Sequence, residues 1–139
     1  STFFIFRLLM PQYLFAYGTL RLNDIHKMGA KLSASSKLVS LGYITEAKLF
    51  KIDWYPALLH EGTEEDIVIG DIYQLDDEHL LLELDEYEGL GVGKPPYEYR
   101  REKVKVYSEQ QVYNCWVYWY NIPIPETAEQ IESGDFLNP

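Results

Sequence analysis

Ile67-Val-Ile-Gly-Asp-Ile-Tyr-Gln-Leu75, followed at once by Asp76-Asp-Glu-His-Leu-Leu-Leu-Glu-Leu-Asp-Glu-Tyr-Glu88-Gly89, is the stretch on which the fold turns. Ile67, Val68, Ile69, Ile72, Tyr73 and Leu75 make its first nine residues rich in β-branched, aromatic and apolar side chains, which is the pattern of a strand. Its second half changes period. Asp76, Asp77 and Glu78 place carboxylates where a helix begins and its dipole is positive. Leu80, Leu81, Leu84 and Tyr87 then recur at 3.6-residue spacing, so one face of a helix packs on a core. Gly89 is a natural C-terminal stop.

Downstream, Gly89-Leu-Gly-Val-Gly-Lys-Pro-Pro96 is a loop, because three glycines and two prolines neither hold a helix nor join a ladder. Its flexibility suggests a lid. Residues 99–107 and 111–120 are rich in β-branched and aromatic side chains and flank Ser108-Glu109-Gln110, the pattern of a hairpin. Ala128 to Glu132 reads as a last helical turn.

Upstream, Tyr13-Leu-Phe-Ala-Tyr17 is a buried strand halted by Gly18. From Leu20 to Ser36 the pattern fits a short helix or a loop, with Asn23 or Asp24 as a cap before Ile25, Met28 and Leu32. Lys37 to Asp53 alternates as two strands or one long bent strand, Gly42 marking a bulge or bend. Trp54-Tyr-Pro-Ala-Leu58 is a rigid aromatic segment, and residues 61–66 form an acidic turn. Several antiparallel strands with one clear helix before the last hairpin define an α+β class, with a small mixed sheet curled into a β-barrel and one or two flanking helices.

The domain is expected to span 10–139. Residues 1–9 read as an N-terminal extension foreign to it, or else as an edge strand or oligomer contact; the Phe3-Phe-Ile-Phe6 run is too short to span a membrane and lacks a signal-peptide cleavage site. A chain of 139 residues with 47% hydrophobic content builds a single core without disulfide or metal. The excess of 22 acidic over 12 basic residues gives a net charge of −10, which repels phosphate backbones and anionic lipids. Neither nucleic acid nor membrane is therefore an expected partner. Cys115, the one cysteine, cannot form an intrachain disulfide, which suits a reducing, cytoplasmic setting. In an aromatic strand its thiol is a buried structural group rather than a nucleophile.

Several motifs fail on their context. Gly89, Gly91 and Gly93 follow a helix instead of a strand and lack dinucleotide-binding spacing. His26, His60 and His79 are too far apart for a metal site and read as surface residues. No nucleophile elbow or phosphate-binding Gly-Lys-Ser/Thr element is present.

Two elements carry a family resemblance: Tyr17-Gly18-Thr19-Leu20 after the first strand, and Leu84-Asp-Glu-Tyr-Glu88-Gly89 ending the helix. Tyr99-x-Arg101 and Ile131-Glu-Ser-Gly-Asp-Phe136 support them, so the likeness runs from about Met10 to the C-terminus. Together they resemble the γ-glutamyl cyclotransferase family, including its γ-glutamylamine branch. The resemblance implies an enzyme that acts on a small γ-glutamyl molecule. In it the Tyr-Gly-Thr turn (Tyr17, Gly18, Thr19, Leu20) holds the glutamyl head, Glu88 transfers protons, and Tyr97 or Tyr99 faces the pocket. No cofactor or metal is implied.

Elementary chemistry agrees with that assignment. Gly18 lets the backbone turn sharply and present N–H groups to a carboxylate. Glu88 sits beside the negative end of a helix dipole, which opposes ionisation and raises its pKa toward proton-exchange duty, whereas Asp85 and Glu86 read as solvated carboxylates. The reaction that the resemblance implies is attack of the substrate's own α-amine on its γ-carbonyl, releasing 5-oxoproline and an amine or amino acid, with the tyrosines shaping the cavity and polarising the carbonyl. The leaving group stays open among an amino acid, a dipeptide and an amine such as ε-linked lysine; the short chain leans toward the amine. Two other readings are a γ-glutamyl acyl-group remover acting on a larger metabolite and a non-catalytic small-metabolite-binding domain of the same fold. Oligomeric state is open.

Overall fold

Residues 11–22 and 27–139 are described by a computed structural model. In chain order they form β1 (Gln12–Ala16), a 3-10 turn (Thr19–Arg21), α1 (Lys27–Ala34), β2 (Ser36–Thr45), β3 (Lys48–Lys51), β4 (Pro56–Leu59), β5 (Ile67–Leu75), α2 (Glu78–Tyr87), β6 (Tyr99–Tyr107), β7 (Val112–Tyr120) and β8 (Glu129–Gln130). Five strands close a barrel in the order β1-β5-β2-β6-β7, and β4-β3-β8 form a separate small sheet. Closure comes from β1, which pairs antiparallel with β5 and parallel with β7. The expected α+β barrel with flanking helices is the observed architecture.

Strand alternation explains why the barrel strands read as almost continuously apolar. Phe15, Ile44, Val68, Ile72, Val106, Val117 and Trp119 belong to one buried cluster with Cys115. Their strand neighbours Leu14, Tyr73, Leu75 and Tyr118 belong to a second, together with Leu32 of α1 and Leu80 and Leu84 of α2. One face of the sheet is therefore covered by the barrel's own interior and part of the other by the helices, while Leu38, Leu41 and Tyr43 of β2 stay exposed. Burial pushes the Cys115 thiol up to about 12, which keeps it un-ionised.

The local signals of the strand-to-helix stretch hold. β5 spans Ile67–Leu75, and the Asp77 side chain caps α2 by accepting from the His79 N–H at 2.9 Å. The hairpin forms with Tyr99 opposite Tyr120 and Tyr107 opposite Val112. Other expectations are corrected. Gly42 marks no bulge: the register shift lies between Leu38 and Ser40. Gly42 is instead a close approach, because a Cβ there would lie 2.7 Å from Val106. The expected helical turn at Ala128–Glu132 is replaced by β8, since the Ile131 N–H bonds the Leu49 carbonyl at 2.7 Å and buries its side chain against the barrel. The Trp54–Leu58 segment divides, its second half entering β4. The extension at 1–9, the cap at Asn23 or Asp24, and His26 lie outside the described residues.

One buried cation ties three distant segments together. Arg21, at the end of the 3-10 turn, donates from Nε to Asp71 of β5 at 3.2 Å and from Nη1 to Asp135 of the tail at 2.8 Å. Its side chain is only 4% exposed. Desolvation raises Asp71 despite the opposing pull of Arg21. Asp135 is desolvated too, but hydrogen bonds from Asn138, Arg21 and the Leu137 N–H, with the Arg21 charge, hold its pKa below the usual value. Asp135 thus contributes stability above the ordinary carboxylate pKa and loses it as pH falls further. Replacing Arg21 by Met leaves two partly buried carboxylates without their cation. The expected loss is about 3 kcal/mol, read as a lower urea midpoint at unchanged m-value; an unchanged midpoint would remove Arg21 from the fold's essential contacts.

Candidate functional site

The site begins where β1 ends. After Ala16 the chain passes through Tyr17 and Gly18 into the 3-10 turn, whose internal bonds run from Arg21 N–H to the Gly18 carbonyl and from Leu22 N–H to the Thr19 carbonyl. Those bonds leave the N–H groups of Thr19 and Leu20 outside the turn's own ladder, as at any helix start. Gly18 is required by its neighbour, since a Cβ there would lie 2.8 Å from Cγ of Pro56. Tyr17 is buried, and its hydroxyl donates to the Tyr118 carbonyl on β7.

A cavity of about 250 Å³ opens beside this turn. Tyr17, Gly18, Thr19 and Leu20 line one part of it, Tyr87 and Glu88 from the end of α2 another, and Trp54, Tyr55, Glu98 and Tyr99 a third. The four residues of the first motif and the glutamate of the second therefore share one concavity. Thr19 Oγ1 and the Tyr87 hydroxyl stand 3.3 Å apart and link the two motifs. Tyr99 reaches the cavity, its hydroxyl donating to the Pro56 carbonyl at 2.7 Å. Tyr97 is corrected: it is not a lining residue, and it lies ahead of β6, which begins at Tyr99. Its carbonyl accepts instead from the Asn121 side chain at 3.0 Å.

Glu88 is the residue after the last turn of α2, with its N–H on the Leu84 carbonyl at 2.9 Å. Gly89 follows at φ +82°, a left-handed conformation that swings the chain off the helix axis. The Glu88 carboxyl is pushed up to about 8, first by desolvation and then by the negative charges of Glu98 and Asp85. The direction is the one expected from the helix dipole, but the leading cause is burial.

Asp85 is not the solvated carboxylate that its sequence position suggested. It accepts from the Tyr118 hydroxyl at 2.7 Å and pairs with Nη1 of Arg101 at 3.0 Å, an ion-pair contact rather than an aligned hydrogen bond. The Arg101 guanidinium also lies 4.5 Å over the Trp116 ring. Four lining residues were missed for identifiable reasons. Tyr87 looked like a core position on the helical stripe, the Trp54-Tyr55 pair a rigid aromatic segment, and Glu98 stood between two tyrosines with no signal of its own. No periodicity in the chain carries the information that they converge. Among the described residues no group of three or more His, Cys, Asp or Glu could hold a metal ion, and no helix is long and apolar enough to cross a membrane.

A family model described as gamma-glutamyl cyclotransferase, AIG2-like, matches residues 14–138. The chain belongs to that family. Among solved structures it is similar to ytfP from Escherichia coli, with 28% identity over 91% of this chain and 97% of that one, at a TM-score of 0.66. It is similar to an AIG2-like protein from Mus musculus, with 25% identity over 84% and 81% of the two chains and a TM-score of 0.63. YkqA from Bacillus subtilis matches at 25% identity and a TM-score of 0.66, covering 91% of this chain but 40% of that one. A search of the curated proteins finds no match to this chain. The matched residues include both motifs that line the cavity.

The raised Glu88 pKa has a consequence for stability. Between the ordinary carboxyl value of 4.5 and about 8, the folded chain keeps a proton that the unfolded chain has released. Stability therefore falls as pH rises through that window. Glu88→Gln removes the burden. The variant is expected to melt above the wild type at pH 8.5, by up to about 4 kcal/mol in stability, with the gap closing at pH 4. Parallel melting curves at all pH values would mean that Glu88 ionises as freely as in water.

Proposed function

We propose that this family member releases 5-oxoproline from a γ-glutamyl amine or amino acid, with Glu88 as the general acid and base. The observation that carries the reading is a poorly solvated carboxyl facing, across one small cavity, a turn with spare backbone donors. A γ-glutamyl head needs both: N–H groups of the Thr19–Leu20 turn for its α-carboxylate, and an acceptor for a proton of its α-ammonium.

In the proposed sequence Glu88 as carboxylate takes one proton from the α-ammonium. The freed amine attacks the γ-carbonyl carbon, forming the new C–N bond of a five-membered ring. Glu88 then gives its proton to the departing nitrogen as the old amide bond breaks, and relays the ring nitrogen's second, surplus proton to the released amine, which leaves as an ammonium. Atoms and charge balance without a co-reactant, and the nucleophile is already tethered to its electrophile, so the protein's task is to hold a folded conformer. Tyr17 and Tyr99 take a different part from the carbonyl polarisation first assigned to the tyrosines. Each hydroxyl proton is committed to a backbone carbonyl, and burial holds both phenols un-ionised. Their oxygens therefore present lone pairs that suit the α-ammonium. Donors for the developing oxyanion are left to the turn's N–H groups and to the Thr19–Tyr87 hydroxyl pair.

Two measurements test the reading. Glu88→Gln is expected to keep its fold and lose at least about a hundredfold in lactam formation, the scale of a lost acid/base group. For the wild type, kcat/KM should climb about tenfold per pH unit up to a bend near 8, because it reports the free enzyme and the active form is the carboxylate. Equal 5-oxoproline release by wild type and variant across a panel of γ-glutamyl compounds would end the proposal.

A further inference from the structure

Of the Tyr99-x-Arg101 element only the tyrosine lines the cavity. Arg101 reaches instead toward α2, with Nη1 3.0 Å from the Asp85 carboxylate. Directly opposite it on the β6–β7 hairpin stands Tyr118, whose hydroxyl donates to the same carboxylate at 2.7 Å. Residues facing each other across a ladder project to the same side, so this pair grips one acid from two directions. Asp85 precedes Glu88 by three residues, the spacing at which side chains at a helix end are neighbours. Tyr118 joins the two settings, since it lines the cavity with Glu88 while its hydroxyl lies on Asp85.

The charges that face Glu88 are negative. Glu98 ahead of β6 and Asp85 on α2 both oppose its ionisation, and the phenols around it, Tyr17, Tyr87, Tyr99 and Tyr118, are un-ionised. The cavity lining holds no Lys, Arg or His. The offsetting cation is one residue removed: Arg101 matches Asp85 without entering the cavity. Its guanidinium is fixed there by the Trp116 ring, 4.5 Å away, and the two charged side chains are only 23% and 19% exposed. A cation held that way is screened little by salt or solvent.

We propose that Arg101 is a positioning residue for Glu88: with Tyr118 it clamps Asp85, locking the last turn of α2 to the hairpin and cancelling the negative charge beside the reacting carboxyl. Without Arg101 the Asp85 charge acts unopposed, the Glu88 carboxylate costs more to form, and less of the base is present below its titration midpoint. Without Asp85 the opposite holds. Without both, neither charge remains to act. The use of Glu88 as a base rests on the lactam-forming reading, whereas the coupling among the three side chains does not.

Carbon-13 NMR of protein labelled at the glutamate side-chain carboxyls reads the coupling directly, the Glu88 signal being the one lost in Glu88→Gln. Wild type is expected to titrate near 8. Arg101→Met should move that midpoint up by about one pH unit and Asp85→Asn down by a similar amount, with the double variant returning close to wild type. Arg101→Lys, which keeps the charge, should stay near wild type. In turnover, Arg101→Met should lose about tenfold in kcat/KM below pH 8 and regain it as pH passes about 9, a recovery that a damaged fold does not give. A midpoint unmoved in Arg101→Met, or moved in one direction by both single variants, overturns the proposal. If Arg101→Met does not fold, Asp85→Asn and the double variant decide, and an Asp85→Asn midpoint equal to that of wild type refutes it. Midpoints that move as stated, with no lactam from any γ-glutamyl compound, uphold the part of Arg101 and overturn the reaction. Lactam formation with midpoints that do not move does the reverse.

Discussion

β1 meets its neighbours in both senses, antiparallel on β5 and parallel on β7, and the barrel closes through it. That double pairing fixes where its C-terminal end emerges. The Tyr17 hydroxyl extends the hold beyond the last ladder pair by reaching the Tyr118 carbonyl, and Arg21 anchors the far side of the turn to β5 and to the tail. Between those two anchors lie only Gly18, Thr19 and Leu20, and Pro56 leaves no room for a side chain at Gly18. The backbone donors of the turn are thereby set rigidly against the cavity, which is what binding without reorganisation demands. A loop of the same composition, anchored at one end, would have to be ordered by its ligand at an entropic cost.

Carboxylates around the cavity are differentiated by their partners rather than by distance along the chain. Asp85 and Glu88 are three residues apart on the same helix end, yet Asp85 is matched by Arg101 and the Tyr118 hydroxyl whereas Glu88 has no cation beside it. A matched carboxylate stays charged and structural; an unmatched and desolvated one sits near the pKa at which it both takes and returns a proton. Tyr118 connects the two. Its hydroxyl serves Asp85 and its carbonyl serves Tyr17, so the ion pair outside the cavity braces the same strand that positions the turn. Trp116 beneath the Arg101 guanidinium shields that pair from water on the other face.

What could be read from the chain alone divides along the range of the forces involved. β5 and α2 were legible because period, cap and stop are local: Ile67 to Leu75 alternate in burial, Asp77 bonds two residues ahead, and Gly89 carries a positive φ. Tyr17 to Leu20 and Glu88 were found as a pattern shared with a family, and residues 14–138 match its model. β8 was read as a helical turn because Ala128 to Glu132 has ordinary helix formers, and only the Leu49 carbonyl, far away in the chain, decides otherwise. Asp85 was misread for the same reason: its fate depends on Arg101, across the glycine-rich loop. Tyr97 and Tyr99 were indistinguishable by composition, and the hairpin register separates them by placing Tyr99 opposite Tyr120.

The proton inventory of the cavity narrows the chemistry further. Tyr17 and Tyr99 give their single hydroxyl protons to carbonyls of the backbone, and Tyr55 gives its own to Glu98. Their pKa values are all raised, chiefly by burial, so none is a source of phenolate near neutrality. Glu88, with its pKa raised to about 8, is the lining carboxyl suited to taking and returning protons. In the proposed reaction the nucleophile is the substrate's own amine, so no external water has to be positioned. The tyrosines' value lies in what they withhold. By keeping their protons on the backbone, they leave the cavity wall rich in acceptors and the one mobile proton on the carboxyl beside the turn.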